Sequence, residues 1–151
     1  MQVFAALKED HKVVATLLKK LSTTSKRALK ARQKGFAEFK KAFFLHKNFE
    51  ENFFYPALRE KKDVQDLVLE AYEEHTVADH IISALEALPF DDITWLAKIS
   101  VLQEAISHHV KEEENSLFPK AKKILTKEDI QILTEQLERL KTFATSREFN
   151  S

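Results

Sequence analysis

The sequence predicts an all-α protein: an up-down-up-down four-helix bundle with one additional C-terminal helix. Three observations point there. Turn-forming residues are scarce, with one Gly and three Pro in 151 residues, which leaves few places for hairpins. Apolar side chains recur at alternating steps of three and four along four segments, the pattern of a helix face turned into a bundle core. The first half of the chain is also repeated in the second at a nearly constant offset.

The first segment reads Phe4, Leu7, His11, Val14, Leu18, Leu21, and the second Phe36, Phe39, Phe43, His46, Glu50, Phe53, Ala57. The third reads Val68, Ala71, His75, Ala78, Ile82, Leu85, and the fourth Trp95, Ile99, Leu102, Ile106, His109, Glu113. A fifth stripe, Ile130, Leu133, Leu137, Leu140, comes after Thr126, a natural N-cap. It carries no His, so this helix, about 127–146, is expected to pack outside the bundle of about 2–121. The breaks fall at Glu60–Asp63 and at Pro89–Asp92, where proline blocks helix continuation. Pro56 and Pro119 are expected to end or kink the second and fourth helices. Placing ligands of equal height symmetrically about each turn puts the first turn near Lys30, between Ser22–Ser25 and Gly35.

The repeat joins these segments into pairs. Glu9-Asp10-His11 matches Glu73-Glu74-His75, and His46-x-x-x-Glu50-Glu51-Asn52-x-x-x-Pro56 matches His109-x-x-x-Glu113-Glu114-Asn115-x-x-x-Pro119. Two such helix pairs related by a pseudo-two-fold make a bundle. The whole chain, 1–151, reads as a single domain.

Composition removes several classes of function. Lys+Arg and Asp+Glu number 24 each, so there is no basic excess of the kind a nucleic-acid binder shows. The basic stretch Lys19, Lys20, Lys26, Arg27, Lys30, Arg32, Lys34 reads as a solvated helix end and turn. With no Cys, thiolate metal sites, iron–sulfur ligation and Cys nucleophiles are excluded. No apolar run is long enough to span a membrane, and the N-terminus lacks the features of a signal peptide. Cytoplasmic localisation is the expectation.

Each bundle stripe is interrupted by polar groups that an apolar core rejects. A buried imidazole costs a few kcal/mol unless compensated, and a buried carboxylate costs more. Six such positions share one compensation if His11, His46, Glu50, His75, His109 and Glu113 hold a pair of cations. His46 and Glu50, like His109 and Glu113, stand one helical turn apart on one face. Each carboxylate can then bridge two ions while an imidazole caps one of them. Imidazole and carboxylate suit iron, manganese or zinc. His80 and His108 lie off the core-facing stripes and are expected on the surface. Asp79, one turn after His75, is a minor candidate ligand, and Tyr72 a minor candidate donor behind the ligands.

The order H…H-x-x-x-E…H…H-x-x-x-E resembles the haemerythrin-like, or HHE cation-binding, family over about residues 4–121. The Glu-Glu pairs and the aromatic-Pro pairs Tyr55-Pro56 and Phe118-Pro119 add to the likeness. The resemblance implies an oxo- or hydroxo-bridged di-iron centre meeting O₂, nitric oxide or peroxide, so the partner is a small molecule rather than a nucleic acid or membrane. Oxygen-carrying members have a fifth His, four residues after the third-helix His; here that residue is Asp79. The ferritin-like signature Glu-x-x-His is absent. Three functions are compatible with these residues. The centre binds or senses a diatomic gas in an apolar pocket of Phe39, Phe43, Leu102 and Ile106. Alternatively it is an enzyme with catalase-like peroxide turnover, or a metal-binding interaction module without redox chemistry.

Overall fold

A computed structural model describes residues 1–150, with side chains described through Thr145. Long helices dominate it: α1 (Val3–Ser22), α2 (Leu29–Phe49), α3 (Tyr55–Leu58), α4 (Gln65–Glu86), α5 (Trp95–Glu112), α6 (Phe118–Ile124) and α7 (Lys127–Asn150). Two π-helical turns, Glu50–Phe54 and Glu113–Leu117, join α2 to α3 and α5 to α6 without a break. The chain therefore makes four long rods and a fifth helix. Among the described residues there are no strands.

Neighbouring rods run antiparallel. Leu21 abuts Gly35 while His11 meets His46 between α1 and α2. Between α2 and α4, Lys40 reaches Glu86 and Lys47 reaches Asp79. The core-facing stripes of α1, α4 and α5 are buried at every predicted position. They divide into two apolar masses. One contains Phe39, Phe43, Trp95, Ile99 and Leu102. The other contains Phe4, Phe49, Phe54, Tyr55, Leu58 and Phe118, and α7 closes it with Leu133 and Leu137. The polar residues of the stripes form a layer between the two.

Several expectations need correction. The first turn spans 23–28, not the neighbourhood of Lys30, which lies inside α2. Gly35 is also helical. A Cβ there would sit 2.8 Å from Leu21 Cδ2, so this glycine serves the close approach of α1 and α2 rather than a break. The irregular 23–28 loop lacks the uniform rise per residue that would centre the turn near Lys30.

The second stripe also changes register after Glu50. Phe54, Tyr55 and Leu58 are buried, whereas Phe53 and Ala57 are only half-buried. The π turn inserts one residue and rotates the downstream side chains by about 100°. Pro56 and Pro119 end neither rod. Each stands in the first turn after a π segment, where its missing N–H is tolerated.

Finally, Arg32 leaves the solvated basic stretch and is buried. It donates to Thr24 Oγ1 at 3.0 Å, to Thr24 O at 3.2 Å and to Phe90 O, and it covers the Trp95 ring at 4.5 Å. The guanidinium fork satisfies the two loops at that end of the bundle, a role that a sequence-level count of charges does not reveal. The N-cap at Thr126 is as expected: Asp129 N donates to Thr126 Oγ1 and Thr126 N to Asp129 Oδ2, both at 3.0 Å.

Candidate metal centre

The helical spacings bring His11, His46, Glu50, His75, His109 and Glu113 together, each about 5% exposed or less. His11 Nε2 and His46 Nε2 are 3.1 Å apart, and His75 Nε2 and His109 Nε2 3.2 Å. Glu50 Oε1 lies between the pairs, 2.9 Å from His46 Nε2 and 3.1 Å from His75 Nε2. Glu113 spans them in the same way, with Oε1 3.0 Å from His11 Nε2 and Oε2 3.3 Å from His109 Nε2. Two overlapping donor groups result: His11, His46, Glu50 and Glu113, and Glu50, His75 and His109, each with ligand atoms mutually within 4.8 Å.

Each imidazole is held from behind by a carboxylate. His11 Nδ1 meets Glu114 at 2.6 Å and His75 Nδ1 meets Glu51 at 2.7 Å. His109 Nδ1 meets Glu74 at 2.8 Å and His46 Nδ1 meets Asp10 at 3.5 Å. With Nδ1–H donating outward, a neutral ring turns its Nε2 lone pair to the centre, as metal-binding histidines do. These four acids stand in the duplicated Glu-Asp-His, Glu-Glu-His and Glu-Glu-Asn strings. The strings were visible in the sequence, but their role was not, because each acid serves an imidazole on another helix or turn.

Tyr55 is the residue that sequence reasoning missed as part of the centre. Its hydroxyl donates to Glu113 Oε2 at 2.5 Å, with Glu50 Oε1 at 3.1 Å. The π turn puts it there. In the second copy Ser116 takes the place of Phe53, so only Leu117 and Phe118 can be the buried pair. That comparison was the available signal for the shifted register.

Charge explains the site's character. Burial disfavours a charge on His46, yet Glu50, helped by Asp10 and Glu113, lifts its imidazole to about 10. Burial also opposes a charge on His109, but Glu113, Glu50 and Glu74 push it up to about 12. Burial works against the Glu50 carboxylate too, and its histidine and hydrogen-bonding neighbours still hold it well below the ordinary range. Burial and the two carboxylates push the Tyr55 phenol well above 10, which keeps it a neutral donor. Two buried carboxylates thus demand positive charge, as protons or as cations. Glu50 Oε2 is buried with no hydrogen-bond partner. A buried carboxylate oxygen with no hydrogen-bond partner, beside converging imidazoles, is a donor set that fits a metal.

The remaining candidates stand apart. His80 and His108 are exposed. Asp79 is taken by Lys47 at 2.8 Å and belongs to neither donor group. Tyr72 donates to the Glu51 carbonyl and packs its ring 5.0 Å from Tyr55. Phe39, Phe43 and Leu102 lie in the packed core, with the Phe43 ring 6.2 Å from His75, while Ile106 also reaches a groove. This groove, of about 800 Å³, lies between α1 and α5 and is lined by His11, Leu18, Ile106 and Val110 among others.

Among the described residues, no helix is long and apolar enough to cross a membrane. No curated protein matches the chain. A crystal structure of a hemerythrin HHE cation-binding domain-containing protein from Mycobacterium kansasii is similar in fold, with a TM-score of 0.83 and 22% identity, covering 99% of this chain and 91% of that one. The Hemerythrin HHE cation-binding domain model matches residues 2–121, and the chain belongs to that family.

Proposed function

We propose that this protein is a non-haem di-iron protein that binds or senses O₂ or nitric oxide. The imidazoles of His11, His46, His75 and His109 and the carboxylates of Glu50 and Glu113 would hold two irons. The observation that carries this reading is the convergence of four Nε2 atoms on two carboxylates, with Glu50 Oε2 left unpartnered. Manganese or zinc would suit the same donors, and family membership favours iron. When bound, the metal pair supplies redox-active Lewis acids able to take a small ligand.

The protein's own groups then have defined tasks. The outer carboxylates fix the ring tautomers. The Tyr55 hydroxyl offers one neutral proton donor beside both of these carboxylates. The apolar cores on either side keep bulk water from the layer, and the α1–α5 groove brings a small molecule from solvent to His11. Residues 1–151 act as one domain on this reading, in the cytoplasm. The test is to add Fe(II) and then air. Near-ultraviolet charge-transfer bands that nitric oxide or O₂ perturbs are expected, and a colourless, iron-free protein would overturn the proposal.

Tyr55 also favours a second reading, peroxide turnover, since disproportionation of peroxide to O₂ and water requires proton transfer at the centre. O₂ release from peroxide by the iron-loaded protein, compared with Tyr55→Phe and His46→Ala, separates the two. Equal rates in all three would remove the enzymatic reading.

A further inference from the structure

The four outer carboxylates obey the internal repeat except at one point. Glu114 and Glu51 hold His11 and His75 at 2.6 and 2.7 Å. Glu74 holds His109 at 2.8 Å, but its counterpart Asp10 stands 3.5 Å from His46. Aspartate is one methylene shorter, and Asp10 is also shared. Lys141, on α7, donates to Asp10 Oδ1 at 2.7 Å. Among the described residues no lysine or arginine pairs with Glu74; its other oxygen meets His108, whose side chain is 67% exposed, at 3.4 Å. The chain duplicates its helix pairs but not α7, so the lysine has no symmetry mate. Lys47 is held by Asp79, which stands outside the donor groups.

We propose that Lys141 makes the two metal positions inequivalent: by drawing Asp10 off the His46 imidazole and placing a positive charge behind it, this residue weakens cation binding at the His11/His46 position relative to the His75/His109 position. Lys141 is a positioning residue that acts through Asp10. The inference rests on the two-metal reading above. Both of its components act in one direction. A histidine ligand whose Nδ1–H is gripped less firmly by a carboxylate is less basic, and a nearby ammonium repels a bound cation. The fifth helix thereby sets the order in which the two positions fill and empty.

The test is anaerobic Fe(II) titration of the full chain against a chromophoric chelator, which resolves the two binding steps. Wild type should bind two equivalents with unequal affinity. Lys141→Met should tighten the weaker step about five- to tenfold, the order expected of one partly solvated charge near a divalent ion, and leave the tighter step unchanged. Lys141→Arg, which keeps the charge, should behave as wild type. Lys141→Gln repeats the loss of charge with a different side chain, and circular dichroism of each apo variant shows whether it folds. Two equivalents unaffected or weakened by Lys141→Met and Lys141→Gln would overturn the inference alone. A wild-type chain that binds no Fe(II) would overturn the two-metal reading and this inference together.

Discussion

At the scale of single residues, the centre is a balance between two buried carboxylates and the positive charge that must accompany them. In the metal-free protein that charge is borne by protons. The folded-state values of His46 and His109 are raised to about 10 and about 12 from 6.5. Their contribution to stability is therefore fully present below pH 6.5 and is lost as pH rises toward those values. Glu50, whose value is depressed, contributes stability above its ordinary 4.5 that is lost as pH falls through its folded value. The melting temperature of the apo protein should fall between pH 7 and pH 10, as measured by circular dichroism. The metal-loaded protein should show a flatter profile, because bound cations replace those protons. A flat apo profile would contradict the charge balance. Tyr55→Phe removes a donor shared by two buried carboxylates and should cost the apo protein about 1.5–3 kcal/mol in urea unfolding. A loss below about 0.5 kcal/mol would deny the hydroxyl that role.

At the scale of elements, the core-facing registers of α1, α4 and α5 were legible because a period of three and four leaves little freedom over five turns. All six polar interruptions were legible for the same reason: none lies beyond the first residue of a π turn in its own rod. The two π turns were not. In the first, Phe53-Phe54-Tyr55 offers an apolar residue in either register, so a one-residue insertion leaves no gap in the pattern, and only Ser116 in the second copy signals the shift. The outer carboxylates and the burial of Arg32 were hidden for another reason. Both depend on which helix or loop faces which, and a charged residue beside a stripe looks solvated until its neighbour is known. The insertion makes a prediction. Deleting Asn52, an exposed residue whose side chain donates to Asn48, should convert the first π turn to α-helix. Phe54 and Leu58 would stay core-facing, at a cost of about 2 kcal/mol or less by denaturant unfolding. Deleting Ala42 from α2 should instead rotate His46 and Glu50 about 100° off the core and abolish metal binding. Equal damage from both deletions would contradict the register argument.

At the scale of the whole molecule, the bundle is two apolar cores bound to one polar layer. The cores lend that layer the Tyr55 hydroxyl, and cations bound there should add to the stability of the fold. Removing metal with a strong chelator should lower the melting temperature, and re-adding Fe(II) should restore it. The internal repeat explains how one short chain builds the layer: each helix pair supplies two imidazoles and one central carboxylate, and each repeat's outer acids brace the other repeat as well as its own. α7 stands outside this symmetry, closing one core through Leu133 and Leu137 and reaching the layer through Lys141. The most direct measurement is the iron content per chain after anaerobic reconstitution and desalting, for wild type, His46→Ala and His109→Ala. Two irons are expected in wild type, with at least one lost in each variant. An iron-free wild type, or variants that retain two irons, would contradict the account.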